Sequence, residues 1–374
     1  MNSRERVLAA LNHQQPDRPP RDLGSTTATG IHPTAYQALK RALGLEPGFD
    51  YLSSRALLAR VEEPVIERFG IDLLPLITPA SAVEPELSED RTYLDRWGVE
   101  RRLPEGGGHY LVSRPPLAGM SSAGELAGHD WPEPRDEFPD LAVQARQLRE
   151  TTDKALVLNL EVGFLHQAQF MRGFDNWLMD LAADPELAEN YMDRILEIWL
   201  AEAEAMIEAV RGYADVVIYA DDIAFQNRTM VSMDMYRRFF KPRQARAFEL
   251  MRASGMKVLY HSCGSLGDLL PELVDLGIDA LNPVQVSAEG MGDTAALKAR
   301  WGERIAFWGG VDTHYVLPRG TEAEVEAEVA RRLDDLAEGG GFVLASVHDI
   351  QPEVSPENVL ALFRAADEWE ERNR

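Results

Sequence analysis

Two kinds of hydrophobic spacing divide the chain. From about residue 140 onward, short continuous apolar runs alternate with longer segments whose apolar residues recur every three or four positions. The runs are residues 155–160, 216–219, 257–260, 280–281, 305–308 and 342–345. Between them, residues 185–211, 235–253, 266–276 and 322–338 read as amphipathic helices. Strand–helix alternation predicts a parallel sheet, and strands apolar on both faces predict helices covering it. An open doubly wound sheet would give the same alternation. Two features favour a barrel. No G-x-G-x-x-G follows a first strand, and polar residues follow directly after strand after strand, as loops on a catalytic face require. The expected fold is a single α/β domain over residues 1–374, a (β/α)8 TIM barrel.

Before residue 140 the pattern is less regular. Residues 3–11 predict a short amphipathic helix with Ser3 as N-cap, closed by Pro16, Pro19 and Pro20. Residues 22–32 are rich in Gly, Ser and Thr and read as a loop, and residues 33–43 read as helix. Residues 1–80 thus form an N-terminal helical segment. Residues 80–135, with Gly106-Gly107-Gly108 and many prolines, read as a β-rich insertion or a lid over the barrel mouth. The main barrel strands and helices occupy residues 140–374.

Composition narrows the function. A formal net charge of −24 repels nucleic-acid phosphates and anionic lipid, so neither is an expected partner. Most of that charge is expected on solvated helix faces. The sequence has one cysteine, Cys263, which rules out a disulfide within the chain and fits a reducing, cytoplasmic setting. The first twenty residues lack the apolar stretch of a signal peptide. No run approaches the roughly 20 apolar residues that span a bilayer.

In a barrel, the residues after each strand converge on one pocket. Asp221 and Asp222 follow the run at 216–219, and His261-Ser262-Cys263-Gly264 follows the run at 257–260. Gln285, Asp312 and His348 follow the next three runs. His261 and Cys263 stand two residues apart, so in extended backbone they face one side. An imidazole and a thiolate suit zinc, and His348 is the candidate third ligand of a site with one open position. Equally, Cys263 can be a small buried hydrophobe and His261 a hydrogen-bonded pocket residue. Asp221 and Asp222 can share general acid–base work, or one can cap a helix or pair with Arg228. Asp72, His166 and Asp312 are candidate substrate-binding residues, as is Gln285, with Asp22 and Gln167 as weaker candidates.

Several motifs occur in a telling order: Asp17-Arg18-Pro19-Pro20, residues 236–242 (YRRFFKP), His261-Ser262-Cys263-Gly264, Gly309-Gly310-Val311-Asp312, and Pro352 followed by Pro356-Glu357-Asn358-Val359. Together they resemble the uroporphyrinogen decarboxylase superfamily, over nearly the whole chain. That superfamily holds cofactor-free decarboxylases and a branch of methylcobamide:coenzyme M methyltransferases, in which zinc activates a thiol toward a corrinoid-bound methyl group. The decarboxylases carry an arginine-rich R-Q-A-G-R-Y motif in the N-terminal loop. The equivalent stretch here, residues 23–30, has no arginine, whereas a porphyrinogen with many carboxylates needs cationic clamps.

The resemblance therefore implies the methyltransferase branch. His261 and Cys263 match its ligand pair. His348 stands where that branch usually has a cysteine and where the decarboxylases also have a histidine. It is either the third ligand or a substrate-binding group. The implied cofactors are zinc and a corrinoid (cobalamin) as methyl carrier. The implied partners are a small-molecule substrate and a separate corrinoid protein. Relatives are often dimers, so a homodimer is open to this chain. Two other readings stand beside this one: a cofactor-free decarboxylase of a smaller acid, and a non-catalytic barrel that binds a corrinoid or tetrapyrrole.

Overall fold

The apolar runs pair as parallel strands. In the computed structural model, which describes residues 1–105, 107–160 and 162–373, we number them β1 Leu73–Leu76, β2 Ala155–Asn159, β3 Val216–Ala220, β4 Lys257–His261, β5 Ala280–Asn282, β6 Ala306–Trp308 and β7 Phe342–Val343. Each pairs with its sequence neighbour to form one seven-stranded sheet. Gly106 of the triple-glycine run lies outside the described residues. Alternate side chains sort to opposite faces, as the pleat requires. Val157, Val216, Ile218, Leu259, Ala280 and Trp308 form an inner cluster. Their neighbours Leu156, Leu158, Val217, Val258, Leu281 and Phe307 join the larger core under the helices. Burial on both faces is why these strands are continuously apolar.

A seven-stranded curl leaves one gap, and residues 20–22 fill it. The Leu344 amide donates to the Pro20 carbonyl (2.8 Å), the Asp22 amide to the Leu344 carbonyl (2.9 Å), and the Asp72 amide to the Arg21 carbonyl (2.9 Å). Arg21 bridges β1 on one side and the continuation of β7 on the other. The result is the expected eight-membered barrel. The closing segment is hard to see in the sequence because Pro19 and Pro20 read as breakers. β1 also escaped the pattern, since Pro75 interrupts its apolar run. Proline is tolerated there because the outer edge of β1 uses only the amide of the preceding Asp72 for closure.

The N-terminal helix, Ser3–Leu11, plugs the bottom of the barrel, with Val7 and Leu11 in the inner cluster. Its N-cap is Asn2 rather than Ser3. The Asn2 side chain accepts from the Glu5 amide (2.8 Å) while the Glu5 carboxylate accepts from the Asn2 amide (3.0 Å), a capping box. Within residues 80–135, Thr92–Leu94, Glu100–Arg102 and Leu111–Arg114 form an antiparallel three-stranded sheet. Tyr93, Asp95, Arg96 and Trp97 from this sheet and its first turn line the cavity at the barrel mouth. Among the described residues, no helix is long and apolar enough to cross a membrane.

Candidate metal centre

β4 puts His261 on the inner face. It lies two residues beyond Leu259, which belongs to the inner cluster, so alternation turns its ring into the barrel mouth. The backbone then leaves the sheet through Ser262 and Cys263. Gly264 has φ +104°, and a Cβ there would sit 2.7 Å from the Phe225 carbonyl oxygen. Only glycine lets this loop lie against the loop after β3. Ser262 Oγ accepts from the Ile223 amide (3.2 Å), and Asp222 Oδ1 accepts from the Cys263 amide (2.7 Å). The two loops hold each other in place.

His261, Cys263 and His348 meet at one point. One ligand atom from each lies within 4.8 Å of the others, and His261 Nε2 is 3.8 Å from Cys263 Sγ. Zinc–nitrogen and zinc–sulfur bonds of about 2.0 and 2.3 Å in a tetrahedron place N and S about 3.5 Å apart. That pair matches a zinc site to within a few tenths of an ångström, and the 4.8 Å bound on the full set leaves His348 to close by up to about 1.3 Å.

The surrounding bonds select the ligand atoms. Asn282 Nδ2 donates to the Trp308 carbonyl (3.1 Å), which turns Oδ1 toward His261 Nδ1 at 2.6 Å. Nδ1 therefore carries the proton and Nε2 presents a lone pair. Asp349 Oδ2 lies 3.3 Å from His348 Nδ1 and leaves the Nε2 of that ring free in the same way. Burial pushes the Cys263 thiol well up, and the Asp222 and Asp349 carboxylates push in the same direction. Burial likewise lowers His261. For His348 burial is outweighed by Asp349 and Asp222, and its pKa is raised. A buried thiol, two imidazoles and two nearby carboxylates surround one point, and a divalent cation there would displace the thiol proton and any second proton on His348. The residues present fit zinc.

The paired acids part company. Asp221 is buried, and its carboxylate accepts from the Leu165 and His166 amides (3.1 and 2.8 Å) and from the Tyr219 hydroxyl. Those amides open the helix Phe164–Arg172, so Asp221 caps a helix on the neighbouring strand loop. Gly163 permits the approach, since a Cβ there would fall 2.2 Å from Asp221 Oδ2. Burial raises the Asp221 carboxyl against the pull of His166 and Tyr219. Asp222 instead faces the cavity with its side chain 31% exposed, 3.8 Å from both His166 Nε2 and His261 Nε2. Burial opposes its charge, but His261, His166 and the Cys263 amide hold its carboxyl below the ordinary value.

Asp222, His166, Gln167, His261 and His348 line one cavity of about 440 Å³, together with Thr27 and Ala28. Three expected substrate-binding residues lie elsewhere. Asp72 precedes β1 at the opposite end of the barrel, buried against Arg6 (2.6 Å), Arg18 (2.8 Å) and the Arg21 amide (2.9 Å). Its residue type suggested a pocket; its position before a strand rather than after it puts it at the floor. Gln285 braces the Cys263 loop, accepting from the Gly264 amide (2.5 Å) and donating to Gln226 (2.8 Å). Asp312 closes the turn after β6 by accepting from the His314 amide (2.7 Å). Asp22 is buried under Trp308 Nε1 (2.9 Å) and Thr29 (2.7 Å). Asn282 and Asp349 stand at strand ends in the sequence, but residue type alone gave them no role. The sequence reading missed Arg55, Arg96 and Arg135, which line the cavity from irregular segments.

The model of the uroporphyrinogen decarboxylase (URO-D) family matches residues 2–369. The chain belongs to the uroporphyrinogen decarboxylase family. Both branches of that family occur among its relatives. It is 31% identical to the methylcobamide:CoM methyltransferase MtaA of Methanosarcina barkeri over 184 residues, 49% of this chain and 50% of that protein. The match thus spans about half the length of the curated methyltransferase. It is 24% identical to the uroporphyrinogen decarboxylase of Geobacillus kaustophilus over 350 residues, 90% of each. A solved methyltransferase from Methanosarcina mazei superposes with a TM-score of 0.67 at 21% identity, over 98% of this chain and 99% of that one. That likeness concerns the fold, and it places this family member on the same barrel.

Proposed function

We propose that this family member is a zinc-dependent methyltransferase that moves a methyl group between a corrinoid and a small thiol or other methyl carrier. The convergence of His261, Cys263 and His348 within 4.8 Å carries the reading. The half-length similarity to a methylcobamide:CoM methyltransferase supports it. A separate corrinoid protein, presenting its cofactor at the barrel mouth, is the proposed partner.

His261 Nε2, Cys263 Sγ and His348 Nε2 would hold the metal and leave one position open. Bound zinc would supply the deprotonation of a coordinated thiol at neutral pH. The protein's own groups do the rest. Asn282 and Asp349 fix the two rings, and Asp222 fixes the Cys263 loop through its amide. The substrate thiol has to lose its proton before its sulfur takes the methyl group, and the electron pair of the broken methyl bond stays with the corrinoid. Asp222 Oδ2, with His166 behind it, faces the cavity to relay that proton, its lowered pKa suiting passage rather than storage. Asp221 takes no proton in this scheme and holds the helix that presents His166.

The test is metal content followed by methyl transfer. Purified chain should carry one zinc, lost in Cys263→Ala, and should methylate a small thiol such as 2-mercaptoethanesulfonate from methylcobalamin. Well-folded protein that takes up no zinc when it is offered would overturn the proposal. The cofactor-free decarboxylase then becomes the better reading. One feature favours it: Arg55, Arg96 and Arg135 line the cavity, where Arg96 and Arg135 share the Glu202 carboxylate, and guanidinium is the side chain best suited to carboxylates.

A further inference from the structure

The two imidazoles of the centre are not held alike. His261 leans on a neutral amide, Asn282, which is itself fixed by the Trp308 carbonyl. His348 leans on a carboxylate, Asp349, whose two oxygens have different tasks. Oδ2 faces His348 Nδ1 at 3.3 Å. Oδ1 accepts from the Gly30 amide at 2.7 Å. Gly30 ends the loop that carries Thr27 and Ala28 on the cavity wall.

That loop is braced at several points. Asp22 accepts from the Ser25 amide (3.0 Å) and Thr29 Oγ1 (2.7 Å). Asn159 joins it to β2 by accepting from the Thr27 amide (3.0 Å) and donating to the Ser25 carbonyl (2.9 Å). Beyond Gly30, the Ile350 amide donates to the Gly30 carbonyl (2.9 Å) and the His32 amide to the Ile350 carbonyl (2.8 Å). The loop and the strand end bearing His348 are thus stitched side by side. Asp349 is the side chain that passes this alignment to the ring.

We infer that Asp349 is the positioning residue of His348, and that through it the N-terminal loop sets the geometry of the metal centre. The inference rests on the proposed zinc site for its functional meaning, although the ring–carboxylate contact exists without metal. The chemistry restricts what can replace Asp349. Both neighbours, Gly30 N–H and His348 Nδ1–H, are donors, so two acceptor oxygens are needed. Asparagine supplies one acceptor and turns an N–H₂ toward the other donor. Alanine supplies none. Partners of this kind typically change metal affinity by about 10–100-fold.

The experiment measures zinc affinity by chelator competition for the full chain and for Asp349→Ala and Asp349→Asn. The absorption of the cobalt(II)-loaded proteins is recorded alongside, because it reports ligand geometry rather than stability. Asp349→Ala should weaken zinc by about 10–100-fold and alter the cobalt spectrum, with Asp349→Asn between it and wild type. In a His348→Ala background, Asp349→Ala should cause no further loss. At a pH where the ring is neutral, the ring ¹⁵N shifts of His348 in metal-free protein should show the Nδ1-protonated tautomer in wild type and a mixture in Asp349→Ala. Affinity within twofold of wild type with an unchanged tautomer would overturn the inference, as would the same loss with His348 already removed. Wild type that binds no zinc would sink the functional proposal, and the tautomer measurement alone would then decide this one.

Discussion

The floor and the mouth of the barrel are both crowded with ionisable groups, and they use them in opposite ways. At the floor, the buried charges already have their partners. Asp72 is enclosed by Arg6 and Arg18, and Arg21 pairs with Glu370 at 2.5 Å. At the mouth, Asn282 and Asp349 occupy one side of each imidazole and leave the other side to the cavity. A network closed upon itself holds a fold together. A network with a matched set of unused lone pairs is prepared for a ligand. Catalytic machinery gathers at the C-terminal ends of barrel strands and stability at the other end, and in this chain the two ends can be told apart by counting unspent donors and acceptors.

The sharpest way to break this contrast is at the floor. Asp72→Ala leaves two guanidiniums buried without their carboxylate, and should cost roughly 3–5 kcal/mol in denaturant unfolding. Folded Asp72→Ala molecules should still bind zinc with wild-type affinity; loss of zinc from folded protein would show that the two ends are not separable. Cys263→Ala should do the reverse. It should lower zinc affinity by at least about 100-fold, since one of three ligands is gone, and change metal-free stability by less than about 1 kcal/mol. Asp221→Asn lies between the two. Replacing a buried acceptor of three hydrogen bonds should cost roughly 1–3 kcal/mol, while zinc binding survives. If zinc is lost as well, Asp221 belongs to the centre and not only to the helix Phe164–Arg172.

The smallest expected effect is electrostatic. Hydrogen bonds and charge from Arg6 hold the Asp17 carboxyl well below the ordinary carboxylate value, against the opposing effect of burial. A depressed folded pKa means that the unfolded chain binds more protons as pH falls. The stability contributed is therefore complete above about pH 4, the ordinary aspartate value, and is lost as pH drops toward the folded value. Asp17 is 43% exposed, so solvent screens the pair. Asp17→Asn should make the acid limb of a stability–pH curve slightly shallower and leave the region above pH 5 parallel to wild type.

Much of the mouth was legible because strand-end residues announce themselves. His261, Cys263 and His348 follow apolar runs, and the barrel brings them together. Most of the floor was not. Asp72 looks like any pocket acid until Arg6 and Arg18 are seen to close on it from more than fifty residues away. Asp221 and Asp222 are neighbours in sequence, yet one caps a helix and the other faces the cavity, because successive residues at a strand end point in different directions. Residues 20–22 failed as a strand since their proline spelling signals a break. The arginines at 55, 96 and 135 sit in segments without periodicity, where sequence gives no direction for a side chain.

The closing segment also fixes an order of events. Residue 21 meets β1 at Asp72 on one side, and on the other meets Leu344 and, through its guanidinium, Asp367 and Glu370. On a ribosome, a stave made at residues 20–22 must wait for residue 344 before the hoop can close. Until then that segment lacks its second neighbour and presents an open edge, the part of a sheet most prone to pairing with strangers. The exposure of that edge is therefore set by residues 20–22 and ended by residues 344–370.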